Sequence, residues 1–133
     1  MRYQELGLRE FNEEQSTLGF TLIAPVHGFT VYLINMLGEV VHEWKLPEKL
    51  GSLAYLLPGG HLLTSVLTSK GPPIIEGKGG HIQEFDWEGN LVWEHIDHAQ
   101  HHDFRRLANN NTMYLGWDEM TNKEASRVKG GIP

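Results

Sequence analysis

The sequence contains no cysteine, which excludes disulfide staples, thiolate metal sites and a cysteine nucleophile together. It also has no run of Lys or Arg, and 11 basic against 17 acidic residues leave a formal charge of −6 with His neutral. A nucleic-acid or anionic-membrane partner is not expected of such a chain. No stretch approaches the roughly 20 apolar residues that a spanning helix needs. The amino end, Met1-Arg-Tyr-Gln-Glu-Leu6, lacks the apolar core of a secretory signal, so the default expectation is a cytoplasmic location. Low-complexity tracts are absent, and helical periodicity is nearly so: only Leu8 to Gln15 and Glu119 to Arg127 read as short helices or loops. What the sequence has in plenty is 15 Gly and 8 His. The glycines imply many turns and the histidines imply chemistry.

The periodicity is that of strands. Residues 30 to 37, Thr-Val-Tyr-Leu-Ile-Asn-Met-Leu, are β-branched, aromatic and aliphatic, stop at Gly38-Glu39, and are followed by Val40-Val-His-Glu-Trp44. Ile82-Gln-Glu-Phe-Asp-Trp87 does the same, breaking at Glu88-Gly-Asn90 before Leu91-Val-Trp-Glu-His95. Gly38 falls on Gly89 at an offset of 51, which also places Val41 on Val92 and Glu43 on Glu94. A second hairpin pattern follows each first one: Leu53 to Val66, broken at Pro58-Gly-Gly-His61, matches Asp103 to Gly116, broken at Ala108-Asn-Asn-Asn111, at an offset of 50. Gly, Asn and Pro fill these turns because they tolerate or preset the φ values required.

Two hairpins in about 50 residues predict an all-β fold of four-stranded antiparallel repeats, with units at 30–67 and 81–117 and a Gly/Pro-rich loop at 68–80 between them. A period of that length carrying four strands is a β-propeller signature, and the chain holds roughly two blades as one partial domain over 1–133. A closed propeller typically has 4 to 8 blades. The expectation is therefore a piece of a larger architecture, an assembly of copies, or an open sheet whose exposed edges favour self-association. Gly77-Lys-Gly-Gly80 is glycine-rich but lacks the GK[ST] ending and a following helix, so it is a weak phosphate loop.

Four of the eight histidines, His95, His98, His101 and His102, crowd into eight positions and are followed by Asp103, Arg105 and Arg106. The repeat supplies an internal control. At the offset of 50, His101, His102 and Asp103 stand where the first unit has Gly51, Ser52 and Leu53, and Arg105 and Arg106 stand where it has Tyr55 and Leu56. The unit is thus built without them, which points to a site. Three readings compete. The polar cluster is a solvated junction between loop and strand; or His95, His98 and His102 ligate Zn²⁺ with Asp103 orienting a ring; or imidazole and guanidinium converge on a transferable oxyanion. No zinc-binding helix motif or Cys pair supports the second, so no metal is assigned. In a regular strand His102, Phe104 and Arg106 share one face and Asp103, Arg105 and Leu107 the other, with His102 and Arg106 about 13 Å apart. Trp44 and Trp93 lie in the second strand of each first hairpin and read as packing between sheets; Trp87 and Trp117 are assigned no platform role, and His27, His42, His61 and His81 no function.

The segments Gly19 to Pro25, Thr30 to Met36, Gly38 to Pro47, Asp86 to His95 and His101-His-Asp-Phe-Arg-Arg-Leu107 resemble the amino-terminal part of the PAPS-independent arylsulfotransferase family, over roughly residues 7 to 130. Such a resemblance implies a six-bladed β-propeller that moves a sulfuryl group from a phenolic sulfate to a phenol through a histidine. It implies an aryl sulfate or phenolic partner, no cofactor, His102 and His101 as catalytic candidates, and Arg105 and Arg106 as substrate-binding candidates. The histidine that takes the sulfuryl group in the family, with the arginine beside it, lies in later blades and has no counterpart here. The family turn Pro-Asn-Gly-Asn appears as Ala108-Asn-Asn-Asn111, where Asn replaces Gly but still tolerates the left-handed conformation.

Overall fold

The computed structural model describes residues 7–73 and 77–130. The amino-terminal hexapeptide, positions 74–76 of the expected loop and the last three residues lie outside the described residues. The chain is antiparallel β with almost no helix. Its strands are β1 (Thr21–Ile23), β2 (Thr30–Ile34), β3 (Val40–Lys45), β4 (Leu50–Leu56), β5 (Leu62–Leu67), β6 (Gly80–Phe85), β7 (Leu91–Ile96), β8 (Gln100–Arg106) and β9 (Thr112–Gly116). The two segments read as short helices or loops contain a 3-10 turn at Glu13–Gln15, capped by Asn12, and a four-residue helix α1 (Asn122–Ala125), closed at its start by a Thr121/Glu124 capping box. Among the described residues no helix is long and apolar enough to cross a membrane.

All four expected hairpins form, β2–β3, β4–β5, β6–β7 and β8–β9. Their turns use the residues the sequence offers: Gly38 and Gly89 take φ of +79° and +85°, and Asn110 takes +65° where a glycine is usual. The distribution of hairpins over sheets differs from a uniform two hairpins, or four strands, per sheet. The sheets are β1-β2-β3, β4-β5-β6-β7 and β8-β9. The four-stranded sheet joins the second hairpin of one sequence unit to the first hairpin of the next, through continuous β5–β6 pairing from Leu62↔Phe85 to Leu67↔Gly80. The long connection after Leu67 gives the chain room to return beside β5. By contrast, the short links Leu46–Lys49 and Asp97–Ala99 turn the chain onto a new sheet, pinned by Leu46 N–H to Phe29 O at 2.8 Å and by Asp97 N–H to Gly80 O at 3.1 Å.

The sheets stack face against face. Val31, Leu33 and Trp44 of the first sheet pack on Leu50, Leu62, Val66 and Phe85 of the second. On the opposite face, Leu63 and Ile82 pack on Phe104 of β8, flanked by Tyr55, Trp93 and Tyr114. Covered on both sides, β5 is buried from Leu62 to Val66, which explains its unbroken run of small and apolar residues. Trp44 is 1% exposed and donates Nε1–H to the Asp86 carbonyl at 2.9 Å across the sheet boundary. Trp93 flanks the other boundary. Both are packing residues, as the sequence indicated.

The glycine segment has a structural task. Gly79 N–H donates to the Gln100 carbonyl at 3.3 Å, and a Cβ on Gly79 would overlap Gln100 Oε1 and Ser65 Oγ. Buried Gln100 in turn accepts from Ser65 Oγ at 2.7 Å and Gly80 N–H at 2.8 Å. Glycine lets the loop backbone lie against the start of β8.

Candidate functional site

β8 pairs with β9 through Gln100↔Gly116 and then Phe104↔Tyr114, so four residue steps on β8 oppose two on β9. β4 does the same against β5, between Leu50↔Val66 and Ala54↔Thr64. The irregularity therefore recurs at the repeat offset, over Gly51-Ser52-Leu53 in one strand and His101-His102-Asp103 in the other. Bulges re-aim side chains. Here the bulge takes His102 out of the face it would share with Phe104 and Arg106 in a regular strand: Phe104 is buried, His102 is exposed.

The bulge brings His101 and His102 together. Their Nδ1 atoms are in contact, and the rings meet edge to face with centroids 4.3 Å apart. His101 is half-buried, its ring 4.5 Å from that of Trp117 at 81° and lying against Gly77, where a Cβ would stand 2.6 Å from His101 Nε2. Burial, and secondly the neighbouring His102, hold His101 below the ordinary imidazole pKa. Across this contact one imidazole Nδ1 donates and the other accepts, the tautomer deciding which. With Nδ1 engaged in this contact, Nε2 is the ring nitrogen through which exposed His102 can meet a ligand.

Two clefts are lined in part by residues that touch His101. One, of about 430 Å³, is lined by His27, Gly51, Ser52, Thr68, Gly77 and Lys78; the other, of about 670 Å³, by Gly71, Pro72, Pro73, Trp117, Asp118 and Glu119. Gly77 both lines the first cleft and backs the His101 ring, and Trp117 both lines the second and touches it. Ser52 and Lys78 line the smaller of these clefts but carried no role in the sequence. Ser52 was legible as the repeat counterpart of His102, whereas Lys78 had no signal beyond lying in a glycine-rich stretch.

The two arginines are elsewhere. Arg105 lies 5.0 Å above the Tyr55 ring. Arg106, on the face of Phe104, donates from Nη2 to Glu84 Oε2 at 2.6 Å and from Nη1 to the Asn110 carbonyl at 3.0 Å, with its guanidinium 4.4 Å over Trp93. Glu84 also accepts from His61 Nδ1 at 2.8 Å. These groups line a separate cleft of about 580 Å³ with Leu57, Pro58 and Leu107. Within it the Arg106 guanidinium is paired with the Glu84 carboxylate.

The histidines of the zinc alternative are not gathered. His95 Nε2 donates to the Tyr114 hydroxyl oxygen at 3.2 Å, and that hydroxyl donates to Asp97 Oδ2 at 2.8 Å. The Ala99 N–H and then the Tyr114 hydroxyl hold Asp97 below its ordinary pKa, while the bond to Asp97, with burial, raises Tyr114. Among the described residues no three His, Asp or Glu side chains come together as metal ligands. The other histidines have structural partners or line a cleft: His42 stacks on Trp87 at 4.1 Å, His81 pairs with Glu94 at 2.7 Å, and His27 takes a φ of +62° beside the smaller cleft.

Comparison of the chain with protein-family models, with curated proteins and with solved structures finds no match.

Proposed function

We propose that the chain forms part of a β-propeller that transfers a sulfuryl group from a phenolic sulfate to a phenol, with His102 acting on the proton of the phenolic oxygen. The observation that carries this reading is the bulge of β8, which sets exposed His102 in contact with half-buried His101 at a place where the equivalent bulge of β4 has Gly51 and Ser52. As the acceptor's phenolic oxygen forms the new S–O bond and the donor's S–O bond breaks, the sulfuryl group passes from one oxygen to the other and the departing phenolate takes a proton. When the acceptor phenol attacks sulfur, it gives one up. A histidine poised between these states serves both directions. Lys78 and His27 give the adjoining cleft the charge and donors that suit sulfuryl oxygens, and Trp117 with Pro72 and Pro73 gives the other an apolar wall for a ring.

A second reading is favoured by the engagement of Arg106 with Glu84: with no guanidinium beside the histidines, the same clefts serve a propeller module that binds an aromatic anion without turning it over. Incubation with a chromogenic phenolic sulfate and a phenol acceptor separates the two. The first reading requires turnover that depends on the acceptor; binding of the sulfate ester without turnover supports the second.

A further inference from the structure

Among the described residues β1 is an edge strand, yet its counterpart β5 in the repeat is not. At the offset of 51 its partners Ile34, Leu33 and Tyr32 correspond to Phe85, Glu84 and Gln83, which pair with Leu62, Leu63 and Thr64 of β5. β1 therefore stands where β5 stands. β5 carries β4 antiparallel on its other side, and β9, the equivalent strand of the third sheet, carries β8. The residues that hold the sequence place of β4 ahead of β1, Arg9-Glu-Phe-Asn-Glu-Glu-Gln15, fold around the Asn12-capped 3-10 turn and bring one apolar side chain, Phe11.

Beside the free edge of β1 lies an apolar cleft of about 780 Å³, lined by Phe20, Leu22, Val41, Ala54, Leu56 and Trp87. Leu22, Ala54 and Leu56 also fringe the core between the first and second sheets, so the cleft continues an interface already built. At the neighbouring interface the corresponding ground is covered by Leu53, Tyr55 and Leu57, from β4 and its turn, packed toward Phe104.

We propose that this cleft docks an extended segment of another polypeptide, laid antiparallel along β1, whose alternate aliphatic and aromatic side chains repeat the Leu53-x-Tyr55-x-Leu57 pattern. The free N–H and C=O groups of an edge strand supply the affinity, and the cleft supplies the choice of side chain. A second copy is a poor source, because the two strands that occupy this position in the repeat, β4 and β8, are already paired within each copy. The inference rests on the repeat and the cleft and is independent of sulfuryl transfer.

The test is titration of the whole chain with a synthetic peptide of residues 50–57, flanked by lysines for solubility, read by tryptophan fluorescence and by amide hydrogen exchange. Saturable one-to-one binding with new protection at residues 20–24, absent for a scrambled peptide, is expected. Phe20→Asp and Val41→Asp, at side chains of residues 66% and 47% exposed, leave the melt unchanged and weaken binding by about tenfold or more, because each places a charge against the docked apolar face. Absence of saturable binding, indifference to both substitutions, or protection at β9 in place of β1 would overturn the proposal. So would a concentration-dependent dimer abolished by Phe20→Asp, which would give the cleft to a second copy.

Discussion

Ser52 and His102, fifty positions apart in sequence, meet in space: the Ser52 hydroxyl donates to the His102 carbonyl at 3.4 Å. Further along the same two strands the Tyr55 hydroxyl accepts the Arg106 N–H at 2.7 Å. Equivalent regions of successive repeats thus lie side by side, and the contacts between β4 and β8 run through the His102 backbone. The imidazole is free of that structural duty, and for this reason it can be changed without disturbing the stack.

The close approach of the glycine loop to β8 predicts a large effect from a small change. Gly79→Ala forces a methyl into Gln100 Oε1 and Ser65 Oγ and should cost about 2–4 kcal/mol, since both are buried and bonded to one another. Urea denaturation measures it. Gly89→Ala, where a Cβ meets nothing but φ is +85°, should cost about 1 kcal/mol from backbone strain alone.

Arg106 and Glu84, with side chains 13% and 16% exposed, are predicted to act as a structural pair. Glu84→Gln leaves the guanidinium with a neutral partner and should destabilise by about 2–3 kcal/mol; Arg106→Ala also removes the cover over Trp93 and should cost about 3–5 kcal/mol. A double-mutant cycle with substantial coupling is expected. Full stability in Arg106→Ala would contradict the structural role of the pair.

Acid should weaken the fold through two groups of the same sign. The His101 pKa is lowered in the folded chain, so below the ordinary imidazole value of about 6.5 the unfolded chain binds more protons and stability falls with pH. Asp97 is lowered as well, and its contribution, present above the ordinary carboxylate value, is lost as pH falls through its folded value. Tyr114 works at the opposite end: its raised pKa adds stability that persists below about 10 and is lost as pH rises through the folded value. Chemical denaturation between pH 7.5 and 5.5 should show a shallower slope for His101→Gln than for the unchanged chain. An unaltered slope would show that His101 titrates normally.

The hairpins were legible because each one is local: alternation up to a Gly or Asn turn, then alternation again. Gly38, Gly89 and Asn110 adopt the left-handed φ their turns demand. Which hairpins share a sheet was less accessible, because it depends on the lengths of Leu46–Lys49 and Thr68–Gly79 and on where these links carry the chain. The histidine pair was visible as residues present in one unit and replaced in the other. Its geometry was not, since strict alternation sets His102 beside Phe104, and only the two extra residues of the bulge turn it outward. The partner of Arg106 was not legible: Glu84 lies 22 positions away, and no local pattern announces that contact.

The central claim is that the outward imidazole of His102 handles a proton in sulfuryl transfer. The measurement that tests it most directly is the rate of transfer from a phenolic sulfate to a phenol for His102→Ala and His98→Ala beside the unchanged chain, each with its melting temperature. The account predicts a fall of about 10²-fold or more in His102→Ala, with near-normal rate in His98→Ala and little change in either melt. Full activity in His102→Ala, or equal losses in both variants restored by added Zn²⁺, would contradict it.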